Sequence, residues 1–174
     1  DFEAVYLKGD NTDALATDTM RNTCYALAKD HLTGSIEDFG LTLVDYFLRA
    51  GPTVTSCWVE ITQYLWNRIQ VDGEPHEHSF VRNRGERGAK VSGDESGARQ
   101  VHAGIGDVYM PKTTNSGWEG FLRDQYTTLP DTNDRILATI VTAKWWYSTT
   151  EADFDRLWQG VHDQTPATFT DHYT

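Results

Sequence analysis

The feature that most restricts how this chain folds is a change of hydrophobic period near residue 50. Before it, apolar side chains recur at helical spacing on one face: Ile36, Phe39, Leu43, Val44, Phe47 and Leu48. From residue 53 to about residue 69 the period becomes two, with Thr55, Cys57, Val59 and Ile61 on one face. An apolar stripe on a helix packs well on such a strand face. The two patterns predict an α+β fold, an antiparallel sheet with helices on one face.

Weaker signals before this point complete the first half. Residues 2–7 alternate loosely and precede a Gly-Asp-Asn turn, which predicts a short strand. A helix is predicted to about His31, with Thr17 or Asp18 as its N-cap. Residues 35–38, Ser-Ile-Glu-Asp, resemble a capping box for the next helix, with Asp in place of the usual Glu.

The second half is predicted to contain more strands and a final helix. Asp72-Gly73 is a turn signal. The predicted elements after it are a polar strand at residues 80 to about 100, a short strand at 108–112, an alternating strand at 135–147 and a helix at 151 to about 173, interrupted by Pro166.

Composition excludes several classes of function. A formal charge of −11 opposes binding to nucleic acid or to an anionic membrane surface. No apolar run reaches the roughly 18 residues of a membrane span. Cys24 and Cys57 lack a disulfide-scaffold spacing, so free thiols in the cytoplasm are expected. Because the chain starts at Asp1 without a Met and stops at Thr174 in a helical pattern, we expect it to be a piece of a longer protein.

Residues 112–135 have the composition of a binding loop. The run contains Trp118, two further aromatic residues, several hydroxyl groups and Arg135 just before an alternating strand. A planar guanidinium and a flat ring together suit a small, flat, anionic heterocycle. Two alternatives are open: Trp118, Phe121 and Tyr126 form core, or Arg135 is a surface residue paired with a nearby aspartate.

Two separated motifs carry a family resemblance. The run KTTNSGWEGFLRDQYTTLPDTNDR at residues 112–135 resembles the signature of urate oxidases (uricases). The run GDNTDALATDTMRNTCYALAK at residues 9–29 resembles a second motif of that family. Shorter matches, PHEHSFVR at 75–82 and DFDRLW at 153–158, follow in the family's order.

The resemblance implies a fold and an assembly. Uricases have two tandem tunnelling-fold (T-fold) domains, so residues 1–100 would be a first domain lacking its first strand and residues 101–174 the opening half of a second. It also implies a homotetramer whose sheets close into barrels, with active sites at subunit interfaces. The implied location is the cytoplasm, or the peroxisome in a eukaryote.

The resemblance also implies a reaction and site residues. Urate, O2 and water would give 5-hydroxyisourate and hydrogen peroxide, without a metal or organic cofactor. Arg135 would grip the urate edge, and Trp118 stands where the family has a stacking phenylalanine. Thr17 would belong to a catalytic proton relay, and both Thr17 and Asp18 would contact the substrate. The relay's lysine and histidine would lie outside this chain, so the chain alone is expected to be inactive.

Two other functions are weighed against this one. His76 and His78 lie on the same face of an extended segment, which suits a zinc-dependent T-fold enzyme acting on a pterin or purine. A non-catalytic purine-binding module would keep the pocket and lack the relay. A helix cap alone also accounts for Thr17 and Asp18.

Overall fold

The computed structural model describes residues 3–170, and the side chains of all of these except Arg84. Its elements are, in chain order, α1 (Glu3–Lys8), α2 (Thr17–His31), α3 (Ile36–Phe47), β1 (Ser56–Val71), β2 (Glu74–Asp94), β3 (Arg99–Lys112), β4 (Leu137–Trp146) and α4 (Phe154–Phe169). The strands form one sheet in the order β1-β2-β3-β4. The predicted α+β class with an antiparallel sheet is confirmed.

The chain divides into two compact units. Unit 1 comprises Asp1–Gln63, Arg87–Gly104 and Lys144–Asp155. Unit 2 comprises Tyr64–Glu86, Ile105–Ala143 and Arg156–Thr174. Each unit combines early and late parts of the chain. The predicted division at residue 100 is a different one, between two tandem domains, and it stays a prediction.

The core of unit 1 is built on α3. Ser35 caps this helix as predicted, since its hydroxyl oxygen accepts the Asp38 N–H at 3.0 Å, while the Asp38 carboxylate accepts the Ser35 hydroxyl at 2.6 Å. One cluster joins α3 to α2 and β1; its members are Phe39, Leu43 and Phe47, with Leu15, Cys24, Leu27, Ala28, Cys57, Val59 and Ile61 against them. A second cluster joins Val44 to Val91, Val101 and Phe154. The predicted apolar stripe is therefore the inner face of α3.

The β1–β2 hairpin also follows the sequence. Residues of β1 at odd positions up to Ile61 are half-buried, while Ser56, Trp58, Glu60 and Thr62 are exposed. Asp72 and Gly73 both have positive φ, 54° and 86°, as a two-residue type I′ turn requires.

The strand predicted at residues 2–7 is wrong for the described residues, and Phe2 lies outside them. Glu3–Lys8 form helix α1, which ends at Gly9 with φ of 66° and its N–H donated to the Val5 carbonyl at 3.2 Å. Loose alternation over six residues is weak evidence, and Glu, Ala, Leu and Lys favour a helix. A helix also satisfies its own backbone groups, whereas a strand needs a neighbour.

The predicted N-cap of α2 is also wrong. The N-cap is Ala16, and no side chain caps the helix. Asp18 lies inside the first turn, where its carboxylate pairs with Arg21 and accepts the Asn22 amide at 2.9 Å. The negative charge still suits the helix N-terminus.

The single strand predicted at residues 80 to about 100 is two strands. β2 stops at Asp94, whose Oδ1 accepts the Ser96 N–H at 2.9 Å, and Gly97 has φ of 91°. The chain reverses here, and β3 begins at Arg99. Asp-Glu-Ser-Gly is a turn sequence, because Asp and Ser side chains bond to nearby backbone groups and Gly accepts positive φ.

We expect Gly40→Ala to destabilise the protein. A Cβ at this buried α3 position would lie 2.6 Å from Cγ2 of fully buried Val91, so the core must shift. Overpacking outweighs the helix preference for Ala, and the net loss in the free energy of unfolding should be about 1–2 kcal/mol. Denaturant unfolding measures it. Gly160→Ala in α4 is the matched control, since a Cβ there meets nothing within 4 Å; equal losses in both variants would contradict the packing argument.

Of the helices described, none combines the length and apolar character that crossing a membrane requires.

Candidate functional site

The loop between β3 and β4, residues 113–136 in unit 2, holds the candidate site. Its two arms meet in an antiparallel bridge: the Trp118 N–H donates to the Thr132 carbonyl at 2.6 Å, and the Thr132 N–H donates to the Trp118 carbonyl at 3.0 Å. The base of the loop is closed by Asp134, whose Oδ1 accepts the Thr114 hydroxyl at 2.8 Å and the Asn115 N–H at 2.7 Å. Asn115 has φ of 62°, which Asn tolerates better than most residues. These bonds make the loop an ordered platform.

Trp118 is a surface residue of this loop. Trp118 is 48% exposed, and Tyr126 is 79% exposed. The alternative that Trp118 and Tyr126 form core therefore does not hold. Part of a large apolar side chain is therefore accessible from solvent.

Arg135 lies beside Trp118. Its guanidinium carbon is 5.9 Å from the centroid of the Trp118 ring, and its Nε–H donates to the Ser116 hydroxyl oxygen at 3.3 Å. Ser116 is fully buried, so the bond anchors Arg135 from the protein side. Within residues 3–170 this is the one side-chain hydrogen bond of Arg135, and its two terminal nitrogens remain for a ligand.

The neighbouring aspartates are engaged by other groups. Asp131 pairs with Arg123 at 2.9 Å, and Asp134 bonds to Thr114 and Asn115. The alternative in which Arg135 forms an ion pair with Asp131 or Asp134 therefore does not hold. A charged fork next to an exposed ring can bind the edge of an anion while the ring covers its face.

Thr17 and Asp18 belong to unit 1, whereas Trp118 and Arg135 belong to unit 2. Thr17 is the first residue of α2, it is exposed, and within residues 3–170 its hydroxyl makes no side-chain hydrogen bond. A free hydroxyl can donate and accept a proton. Asp18 has its carboxylate occupied by Arg21 and Asn22, so its backbone N–H is the group open to a ligand.

His76 and His78 do not gather further ligands. No group of three or more His, Cys, Asp or Glu side chains able to hold a metal occurs in the part of the chain that the structure describes. His78 lies 3.5 Å from Glu77, and both side chains are highly exposed. Two histidines without a third ligand are weak support for a zinc site.

Sequence reasoning missed Ser116. A small polar residue between Asn and Gly gives no periodic signal, and its burial depends on how the loop folds onto itself. Its position two residues before Trp118, in a run rich in hydroxyl groups, was the signal available.

Comparison with known proteins gives one family. The family model for uricase matches residues 1–89 and 101–174. Uricase-2 isozyme 2 of Canavalia lineata is 44% identical over 169 residues, which is 97% of this chain and 54% of that protein. The uricase of Danio rerio is 40% identical over 169 residues, again 97% of this chain and 57% of its own length. The chain spans about half the length of the curated relatives it matches.

A solved structure agrees with this. The crystal structure of uricase from Arthrobacter globiformis superimposes with a TM-score of 0.82 at 39% identity, covering 99% of this chain and 59% of that one. The predicted tunnelling fold is confirmed by this likeness. The chain therefore belongs to the uricase family.

Proposed function

We propose that the full-length protein is a urate oxidase that converts urate, O2 and water to 5-hydroxyisourate and hydrogen peroxide. The observation that carries the proposal is Arg135, with its two terminal nitrogens available, beside the exposed ring of Trp118 in a uricase-family chain. This pair matches a flat anion, which offers one face and one edge. The overall charge of −11 repels anions, so the local guanidinium must attract the substrate.

Catalysis in this proposal rests on positioning and proton transfer. Urate loses two electrons to O2, and water supplies the oxygen that is added to the purine. Arg135 holds the edge of the urate anion through charge-assisted hydrogen bonds, and Trp118 covers its face. An indole replaces the phenyl ring that the family resemblance implies, and its larger face still stacks. No metal or organic cofactor takes part.

Thr17 is the proposed catalytic residue in this chain, acting in a proton relay with a lysine and a histidine from outside it. Its exposed hydroxyl and its place at the start of α2 support this role, because N–H groups at a helix N-terminus favour an anion. Asp18 contacts the substrate through its backbone. In the proposed homotetramer Thr17 and Asp18 come from the neighbouring subunit, so the oligomer completes each active site.

The proposal includes a domain division and a location. Residues 1–100 belong to a first T-fold domain and residues 101–174 to the opening half of a second. The cytoplasm is the proposed location, or the peroxisome in a eukaryote. No observation favours the zinc-dependent enzyme or the non-catalytic module over the oxidase.

The test uses the full-length protein, stripped of metal by a chelator, with urate and air. We expect urate loss and peroxide formation in equal amounts, because each urate passes two electrons to one O2. Absorbance of urate and a coupled peroxide assay follow both. Activity that returns only with added zinc would replace the proposal with the metal-dependent enzyme. Urate binding without turnover would replace it with the binding module.

A further inference from the structure

Behind Trp118 lies a row of stacked groups. The rings of Trp118 and Phe121 have centroids 5.9 Å apart and planes inclined by 22°. The guanidinium carbon of Arg123 lies 4.6 Å from the centroid of the Phe121 ring. A cation over a ring face is attracted by the ring's quadrupole, so Arg123 favours one orientation of Phe121.

Both terminal nitrogens of Arg123 are bonded, to Asp131 and to Leu129, and these two contacts are called the clamp. Its Nη2 lies 2.9 Å from Oδ1 of Asp131, and its Nη1 donates to the Leu129 carbonyl at 3.1 Å. The same Asp131 oxygen accepts the Gly120 N–H at 3.2 Å. This hydrogen bond ties the turn that carries Phe121 to Asp131, and Gly120 has the positive φ of 68° that the turn requires. An arginine held by two acceptors is a stiffer support than a free side chain.

The backbone bridge to Thr132 fixes the position of the Trp118 backbone, but it leaves the side-chain torsions of Trp118 free. Trp118 is 48% exposed, so the ring is not enclosed by core packing. Arg135 lies 5.9 Å from the ring centroid, and Phe121 is the ring stacked on it with planes inclined by 22°. Phe121 supplies that contact, and Arg123 holds Phe121.

We infer that Arg123 is a positioning residue that sets the plane of Trp118 through Phe121, and so tunes urate affinity. This rests on the proposed function for its substrate. Arg123 acts at a distance from the ligand, whereas Arg135 contacts it. Stacking binds substrate and transition state alike, so its loss raises KM and leaves kcat nearly unchanged.

The test replaces Arg123 with Met in the full-length protein, which keeps the stem and removes the charged fork. We expect KM for urate to rise about three- to tenfold and kcat to change by less than about twofold. In a Trp118→Ala background the same replacement should change KM by less than about twofold, because the ring it positions is gone. Asp131→Asn, which weakens the clamp, should raise KM in the same direction by a smaller factor.

Arg82→Met is the matched control. Arg82 is similarly exposed, lies 4.0 Å from the Tyr64 ring centroid and pairs with Glu86 at 3.0 Å, so it loses the same kinds of contact outside this loop. We expect its KM to stay at the wild-type value. An equal rise in KM for Arg82→Met, or the same effect of Arg123→Met with and without Trp118, would overturn the positioning role.

A measurement without substrate separates this inference from the proposed function. The emission of Trp118 is obtained as wild type minus Trp118→Phe, and Arg123→Met should make it more accessible to acrylamide. An unchanged quenching constant would overturn the inference. A wild-type protein that fails to oxidise urate would overturn the proposed function, while the quenching result would still decide the role of Arg123.

Discussion

Arg135→Ala in the full-length protein is expected to lower kcat/KM for urate by about 30- to 1,000-fold. The terminal nitrogens of Arg135 make no hydrogen bond within residues 3–170. The bond from its Nε–H to buried Ser116 fixes the orientation of the guanidinium. Two charge-assisted hydrogen bonds to an anion would be lost together. Steady-state urate oxidation measures the effect, with thermal unfolding to verify the fold.

Two further variants sharpen this prediction. Arg135→Lys keeps the charge but has no planar fork, so it should recover only part of the activity. Arg49→Ala removes an exposed arginine of unit 1 and should leave kcat/KM within about twofold. A well-folded Arg135→Ala variant within about threefold of wild type would show that this arginine does not hold the substrate.

Glu37→Ala is expected to cost about 3–5 kcal/mol of unfolding free energy. Glu37 is fully buried, and its Oε2 accepts a bond from Arg87 Nη2 at 2.6 Å. The Arg87 side chain is 8% exposed, and it also pairs with Asp155 at 2.6 Å, whose side chain is 57% exposed. Without Glu37 a buried guanidinium loses its buried counter-charge. Denaturant unfolding gives the loss.

The double variant Glu37→Met with Arg87→Met is the control. An apolar pair of similar volume removes both charges, so it should be far more stable than the Glu37→Ala variant. A double variant as unstable as Glu37→Ala would show that packing, rather than the unpaired charge, sets the cost. The rate of urate oxidation by the double variant would show whether the Glu37–Arg87 pair also affects activity.

The same pair predicts a pH dependence. Burial raises the pKa of Glu37 above its ordinary value of 4.5, and the adjacent Arg87 charge offsets only part of that rise. Between the ordinary and the raised pKa the folded state holds more protons than the unfolded state, so stability falls as pH rises through this window. Glu37→Gln should remove that slope. In Arg87→Met the slope should extend to higher pH, because the offsetting charge is gone. A slope unchanged in both variants would assign it to other groups.

Local patterns of the chain were sufficient for several elements. The N-cap at Ser35, the apolar stripe of α3, the alternation of β1 and the turn at Asp72 each depend on neighbours in sequence. Two of the wrong predictions have different causes: the one at residues 3–8 went against the helix propensity of that segment, and the one at α2 followed N-cap preference, although Ala16 holds the extended N-cap backbone. Residues 3–8 form a helix and not a strand, and Ala16 rather than Thr17 or Asp18 caps α2.

For the site, the sequence by itself determined the residue types, the family resemblance and the choice of Trp118 and Arg135. Only the tertiary structure decided what each of them contacts. Ser116 as the anchor of Arg135, and Arg123 as the support behind Phe121, arise because the two arms of the loop meet at the Trp118–Thr132 bridge. The physical reason is that hydrogen bonds and ring stacking depend on distances and angles in space, which spacing along the chain does not fix.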